Sequence, residues 1–290
     1  MTNFTRYLLS KRTIDDRALN RHVWQTLHDA VGKHEQLLRV LEVGAGVGTM
    51  VERLAEWGLL RGGEYTAVDA NPDCIATARQ RLGSRHANID LTWETADLFD
   101  FAAQAPPQQW NLLIAHALLD LLDLPQALPR LFHLLQPGGL FYFTLNFDSG
   151  TIFQPPLVGD TAVETAYHQT MDSRPGGSQT GRQLFHQVQR AGGQVLAMGS
   201  SDWVVHPVAG TYPADEAFFL HFILDTMENA LNDHPHLDSS LLPDWLTQRR
   251  AQVQAGQLVY IAHQIDLVGV VHNAAKPQPK SSKVAQIAQI

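Results

Sequence analysis

At Leu41-Glu42-Val43-Gly44-Ala45-Gly46-Val47-Gly48-Thr49 an apolar, strand-like run breaks into three glycines at alternate positions and then enters a helix-like segment. Nothing else in the 290 residues restricts the fold as strongly. A chain that turns so sharply needs backbone conformations that side chains rarely adopt, and it leaves bare amides that a ligand can approach closely. The pattern on either side repeats. Strand-type residues 37–43, 64–68 and 89–94 alternate with helical residues 50–60 and 73–82, where Met50, Leu54 and Trp57 carry the three- and four-residue spacing of a packed helix face. A strand at 110–115, a helix at 128–135 stopped by Pro137-Gly138-Gly139, and a strand at 140–145 follow. This alternation predicts a parallel sheet.

Beyond residue 145 the same reading gives a helix at 182–191, a strand at 194–205 and a long final strand at 258–271. Two helices stand between the last strands, at 218–231 and 243–255. The first is apolar on nearly every side, so it must be buried against the sheet, a neighbouring helix or another subunit. Residues 7–31 read as helical, and no period of 20 to 50 residues recurs. With 44% hydrophobic and 17% charged residues the chain has enough apolar mass for a core. Its 29 acidic residues against 21 basic ones disfavour a broad phosphate-binding face, so nucleic acid is not an expected partner. The single cysteine, Cys74, forms no disulfide within the chain, and residues 1–12 lack the apolar stretch of a signal peptide, which points to the cytoplasm. His116 and Asp120 interrupt the most apolar segment, 112–124, well short of the roughly 20 residues of a membrane span, so no membrane partner is expected either.

The glycine loop does not match the dinucleotide pattern G-x-G-x-x-G, which needs glycine where this chain has Thr49. An acidic residue at the strand end followed by G-x-G-x-G resembles instead the first motif of class I S-adenosylmethionine-dependent methyltransferases. Asp69 ends the second strand 21 residues beyond Gly48, where a carboxylate can accept from both hydroxyls of a ribose. The third strand end, Glu94-Thr95-Ala96-Asp97-Leu98-Phe99, resembles the family's adenine-binding motif. Trp110-Asn111 departs from the aspartate that often opens the fourth strand, although His116 and Ala117 still fall at its cofactor-facing end, and Leu134-Leu135-Gln136-Pro137-Gly138-Gly139-Leu140 matches the passage before the fifth. The resemblance covers roughly residues 40–146.

It implies a doubly wound, seven-stranded, mostly parallel α/β sheet of Rossmann-like methyltransferase type, with an antiparallel last strand and helical insertions forming a cap. It implies S-adenosylmethionine as cofactor, held by Glu42, Gly44, Ala45, Gly46, Gly48, Asp69, Ala70, Asp97, Leu98, His116 and Ala117, and transfer of its methyl group to a small-molecule acceptor. Residues 1–36 are then an N-terminal helical cap, 37–272 the catalytic domain with cap insertions at about 147–181 and 212–256, and 273–290 a flexible tail. His116, His168 and Asp172 are the candidate proton acceptors, and Arg174, Arg182, Trp203 and Tyr212 the candidate acceptor-binding residues. Each has a plainer reading as a packing, capping or solvated side chain. Other chemistry on the same cofactor, a non-catalytic scaffold dimerised through residues 218–231, and a nicotinamide oxidoreductase stay open; the Tyr7-Leu8-Leu9-Ser10-Lys11 spacing that would favour the last precedes the glycine loop instead of following it. The metal-capable run 233–238 has a proline between its histidines and no cysteine, so no metal is expected.

Overall fold

The computed structural model describes residues 2–272 except 34–36, 84, 86, 233, 236 and 239. The expected tail from Asn273, and Asp233 and His236 of the metal-capable run, lie outside the described residues. Three helices open the chain: α1 (Asn3–Ser10), α2 (Arg12–Ala18) and α3 (Arg21–Val31). Then β1 (Leu38–Val43), α4 (Thr49–Glu56), β2 (Gly63–Asp69), α5 (Pro72–Leu82), β3 (Ile89–Thr95), α6 (Leu98–Gln104) and β4 (Trp110–His116) alternate, all but α6 as the periodicity predicts. α7 (Leu124–Leu134) leads to β5 (Leu135–Gln154), followed by α8 (Asp160–Asp172), α9 (Thr180–Arg190), β6 (Gly193–Ser200), β7 (Trp203–Val205), α10 (Glu216–Leu231), α11 (Leu241–Gln254) and β8 (Val259–Val271).

The strands form one sheet in the order β3-β2-β1-β4-β5-β8-β6, with β7 also on β8. β1 to β5 are parallel, and β8 runs antiparallel to β5, β6 and β7. Because β2 and β3 lie on one side of β1 and β4 on the other, the chain reverses direction between β1 and β4, and ligands of such sheets bind outside the carboxyl ends there. Alternation along the central strands feeds two cores. Val40, Leu112 and Ile114 meet Met50, Val51 and Leu54 of α4 and Val23 and Leu27 of α3. Leu41, Val43, Leu113 and Ala115 meet Leu128, Leu131 and Phe132 of α7 and Leu184 and Val188 of α9. A third core lies beyond the strand ends, where Val163 of α8, Phe219, Leu224 and Met227 of α10 and Trp245 of α11 pack on Phe153 and Tyr260.

Two strand boundaries differ from the sequence reading, for physical reasons. The fifth strand does not stop at residue 145 but runs to Gln154, so the first part of the expected insertion 147–181 is sheet. Asp148-Ser149-Gly150 reads locally as a turn, yet here it is a bulge between the Phe147 and Gly150 pairings with β8, and the Phe153–Tyr260 pair, ring centroids 5.1 Å apart, carries the ladder onward. An earlier bulge frees the Leu145 amide, which donates to Asp266 Oδ1 at 2.7 Å. The single strand expected at 194–205 is broken into β6 and β7 at Ser201-Asp202. The apolar sides of α10 are covered within the chain by α1, α8 and α11, so this helix does not require a second copy. Among the described residues no helix is long and apolar enough to cross a membrane.

Candidate active site

Gly44, Gly46 and Gly48 have φ of +69°, +54° and +78°, a region costly for residues with a Cβ. A Cβ on Gly48 would stand 2.7 Å from Leu82 Cδ1, and one on Gly46 3.1 Å from Leu8 Cδ1 of α1, which lies across the loop. Asp69 fastens the loop to the neighbouring strand end: its Oδ2 accepts the Gly46 amide at 2.7 Å and its Oδ1 the Asn71 amide at 2.8 Å. Each carboxylate oxygen keeps a further lone pair for an outside donor. Asp97 caps α6, its Oδ1 accepting from Phe99 and Asp100, with Leu98 opening that helix. Ala70 is exposed one residue past β2. Glu42 faces inward and accepts the Tyr65 hydroxyl at 2.7 Å; burial pushes its carboxyl up to about 8.

His116 ends β4 inside a buried ionic cluster. Its Nδ1 is 2.7 Å from Thr144 Oγ1 and its Nε2 3.1 Å from Asp15 Oδ2, with Arg53 Nη1 3.3 Å away. The tautomer consistent with the Asp15 charge carries hydrogen on Nε2, so Nδ1 accepts from Thr144 and no ring lone pair is left for an acceptor molecule. Burial, against the pull of Asp15, holds the imidazole down to about 4. These contacts tie His116 into the buried cluster through both ring nitrogens. Asp15 is the hub: Trp203 Nε1 donates to Oδ1 at 2.9 Å, while Lys11 Nζ and Arg53 Nη2 lie 3.6 and 3.4 Å from Oδ2. Burial alone would raise its carboxyl, but Lys11, His116 and Arg53 outweigh that and hold it below the usual range. Arg53, fully buried on α4, also donates to Asp16, so the helix that follows the glycine loop is tied to α2. Neither Asp15 nor Arg53 stands out in the sequence, since each sits among other charged residues in a helical run.

Beside this cluster, among α1, α8, α10 and the far halves of β5 and β8, lies a cavity of about 710 Å³. Ala117, with φ +50°, lines it one residue past β4, and Leu8 lines it from above the glycine loop. Of the candidate acceptor-binding residues, Arg174 and Trp203 line it. Tyr212 does not; its hydroxyl donates to the Leu258 carbonyl. Arg182 pairs with Asp148 at 2.7 Å instead. His168 Nε2 sits 3.0 Å from Thr151 Oγ1 with its pKa lowered by burial, and Asp172 Oδ1 accepts the Ser178 amide; neither lines this cavity. Tyr7 and Lys11, set aside as a helix turn, do line it, as does Asp120, which the sequence reading used only as a break in an apolar run. Among the described residues no three His, Cys, Asp or Glu side chains are gathered as metal ligands.

Residues 40–139 match the family described as a methyltransferase domain. Over 108 residues the chain is 32% identical to the malonyl-[acyl-carrier protein] O-methyltransferase of Paenibacillus sp. (strain JDR-2), covering 37% of this chain and 38% of that protein. Over 110 residues it is 33% identical to the ubiquinone biosynthesis O-methyltransferase of Xanthomonas campestris pv. campestris (strain B100), covering 37% and 43%. The match thus spans about two fifths of the length of these curated relatives. The crystal structure of a Bacillus halodurans protein provisionally named a methyltransferase shares the fold, with a TM-score of 0.51 at 13% identity over 85% of this chain and 98% of that one. A glycine loop after β1, carboxylates after β2 and β3 and a reversed last strand frame the matched segment, and residues 40–139 are similar to a methyltransferase domain.

Proposed function

We propose that this protein methylates a small hydroxylated molecule held in the cavity beside Ala117. When bound, S-adenosylmethionine supplies a sulfonium methyl group that passes to a nucleophile, leaving S-adenosylhomocysteine. The observation that carries this reading is the adjacency of two sites: the cavity shares Leu8 with the glycine loop and Ala117 with the end of β4. The chain's own residues fit the cofactor. Gly44, Ala45, Gly46 and Gly48 would lie along its amino-acid part, Asp69 would accept from the ribose, and Asp97, Leu98 and Ala70 would border the adenine. Within the expected cap segments, α1, α2, α8, α10 and α11 act as the cap that excludes water. Holding an acceptor oxygen in line with the methyl group is worth about 7–11 kcal/mol of barrier, which a closed cavity can deliver without any metal-like group of its own.

The two O-methyltransferases among the relatives support oxygen as the atom methylated. Incubation of the protein with methyl-labelled S-adenosylmethionine and a low-molecular-weight cell extract should release S-adenosylhomocysteine and place the label in a small molecule as a base-stable methyl ether. Label confined to macromolecules, or no release above the protein-free rate, would contradict this reading.

A further inference from the structure

Among the described residues, Asp120 is the one acidic side chain that lines the cavity. It stands in the short 3-10 turn Leu119–Leu121, three residues beyond Ala117, and lines the cavity. Its Oδ1 is buried and has no hydrogen-bond partner. Buried carboxylate oxygens are rarely left in that state unless a donor arrives from outside the protein. The turn that carries it is firmly placed: Leu121 N–H donates to the Leu118 carbonyl at 3.0 Å, and Gly176 packs so closely that a Cβ there would fall 2.1 Å from the Asp120 carbonyl oxygen. Gly176 therefore backs the Asp120 turn.

The groups around Asp120 favour a neutral ligand. Lys11 faces it from the α1–α2 junction but is held by Asp15. Tyr7 of α1 and Tyr167 of α8 feel its charge, and their phenols are raised by burial first and by that charge in addition; Arg174, exposed on the loop after α8, acts on Tyr167. An anionic acceptor would meet a like charge here in a poorly solvated site. The walls include Tyr7, Phe147, Tyr167, Trp203, Phe222 and Tyr260, surfaces suited to a flat ring.

We propose that Asp120 accepts the hydrogen bond, and in turnover the proton, of a neutral hydroxyl on an aromatic or similarly apolar acceptor, that is, a phenol-class substrate. This rests on the methyl-transfer reading above. The acceptor O–H bond breaks, its electron pair stays on the oxygen that becomes the nucleophile, and the proton forms a new O–H bond on Asp120, to be lost to solvent after product release. Burial holds the Asp120 carboxyl at about 6, so it is ionised at neutral pH and still a stronger proton acceptor than an ordinary carboxylate.

The test is an optical titration with para-nitrophenol, whose phenolate absorbs visible light and whose neutral form does not. Wild-type, Asp120→Asn and Asp120→Ser proteins are each saturated with S-adenosylhomocysteine, and calorimetry with that ligand reports both folding and the cofactor site. Wild type should take up the neutral phenol, so the phenolate band falls as protein is added, and binding should weaken as pH rises through the probe's ionisation. In the variants the preference should reverse, with phenolate bound at least tenfold better relative to phenol than in wild type. Equal preference in wild type and in a variant that still binds S-adenosylhomocysteine, or no uptake of the neutral probe by wild type, would overturn the role of Asp120 and leave the methyl-transfer reading standing. Wild-type protein that binds no S-adenosylhomocysteine would overturn that reading itself.

Discussion

Asp15 neutralises two buried cations at once, so its removal should be felt far more than the loss of a surface pair. With Asp15→Ala, Lys11 and Arg53 lose a shared counter-ion and Trp203 and His116 lose an acceptor. Breaking such a buried pair typically costs about 3–5 kcal/mol, and chemical denaturation should register a loss of that order. His116 sets an acid limb. Its ordinary value is 6.5 and its folded value about 4, so between those values the unfolded chain binds the extra proton and stability falls as pH falls. Denaturation at pH 7 and pH 5 should show that wild type loses about 1 kcal/mol or more relative to His116→Gln over that interval. Glu42 has the opposite sign. Its folded value near 8 against 4.5 means that stability declines as pH rises through that window, and Glu42→Gln should flatten the fall between pH 6.5 and 8. A Glu42→Gln profile as steep as wild type would show that the carboxyl ionises freely in the fold.

At the scale of elements, ion pairs join α1 and α2 to the start of α10. Arg6 meets Asp215 through Nε and Nη2 at 2.8 and 2.9 Å, and buried Glu216 accepts Arg17 at 2.7 and 3.0 Å and the Thr13 hydroxyl at 2.7 Å. Glu216→Ala should loosen α2 from α10. Amide exchange should then quicken at least tenfold in α1 and α2 while the amides of β1 and β4 keep their protection, and uniform quickening would mean that these helices are part of one cooperative unit with the sheet. Legibility also divides by element. The placement of the β1 loop, Asp69 and Asp97 at strand ends can be read from sequence because each sits in a local run of strand end and turn. The cavity cannot, because Tyr7, Asp120, Tyr167 and Tyr260 converge from four separate elements, and no periodicity records that convergence. The extension of β5 is hidden for a different reason: Asp148-Ser149-Gly150 has turn chemistry, and only the pairing with β8 turns it into a bulge. The partners of His116 are not legible for the same reason as the cavity, since they come from α2 and β5.

The whole molecule is a doubly wound sheet whose switch point carries the glycine loop, with a third apolar core built over the strand ends by α1, α2, α8, α10 and α11. That layout puts a ligand-sized cavity directly on the edge of the cofactor loop, and it makes the fold and the proposed chemistry one argument. The most direct check is calorimetric titration of the purified protein with S-adenosylhomocysteine, S-adenosylmethionine and NAD. Binding of both sulfur compounds at about −8 kcal/mol, a micromolar dissociation constant, with no heat from NAD, is the predicted result. Binding of NAD alone, or of none of the three, would contradict the account.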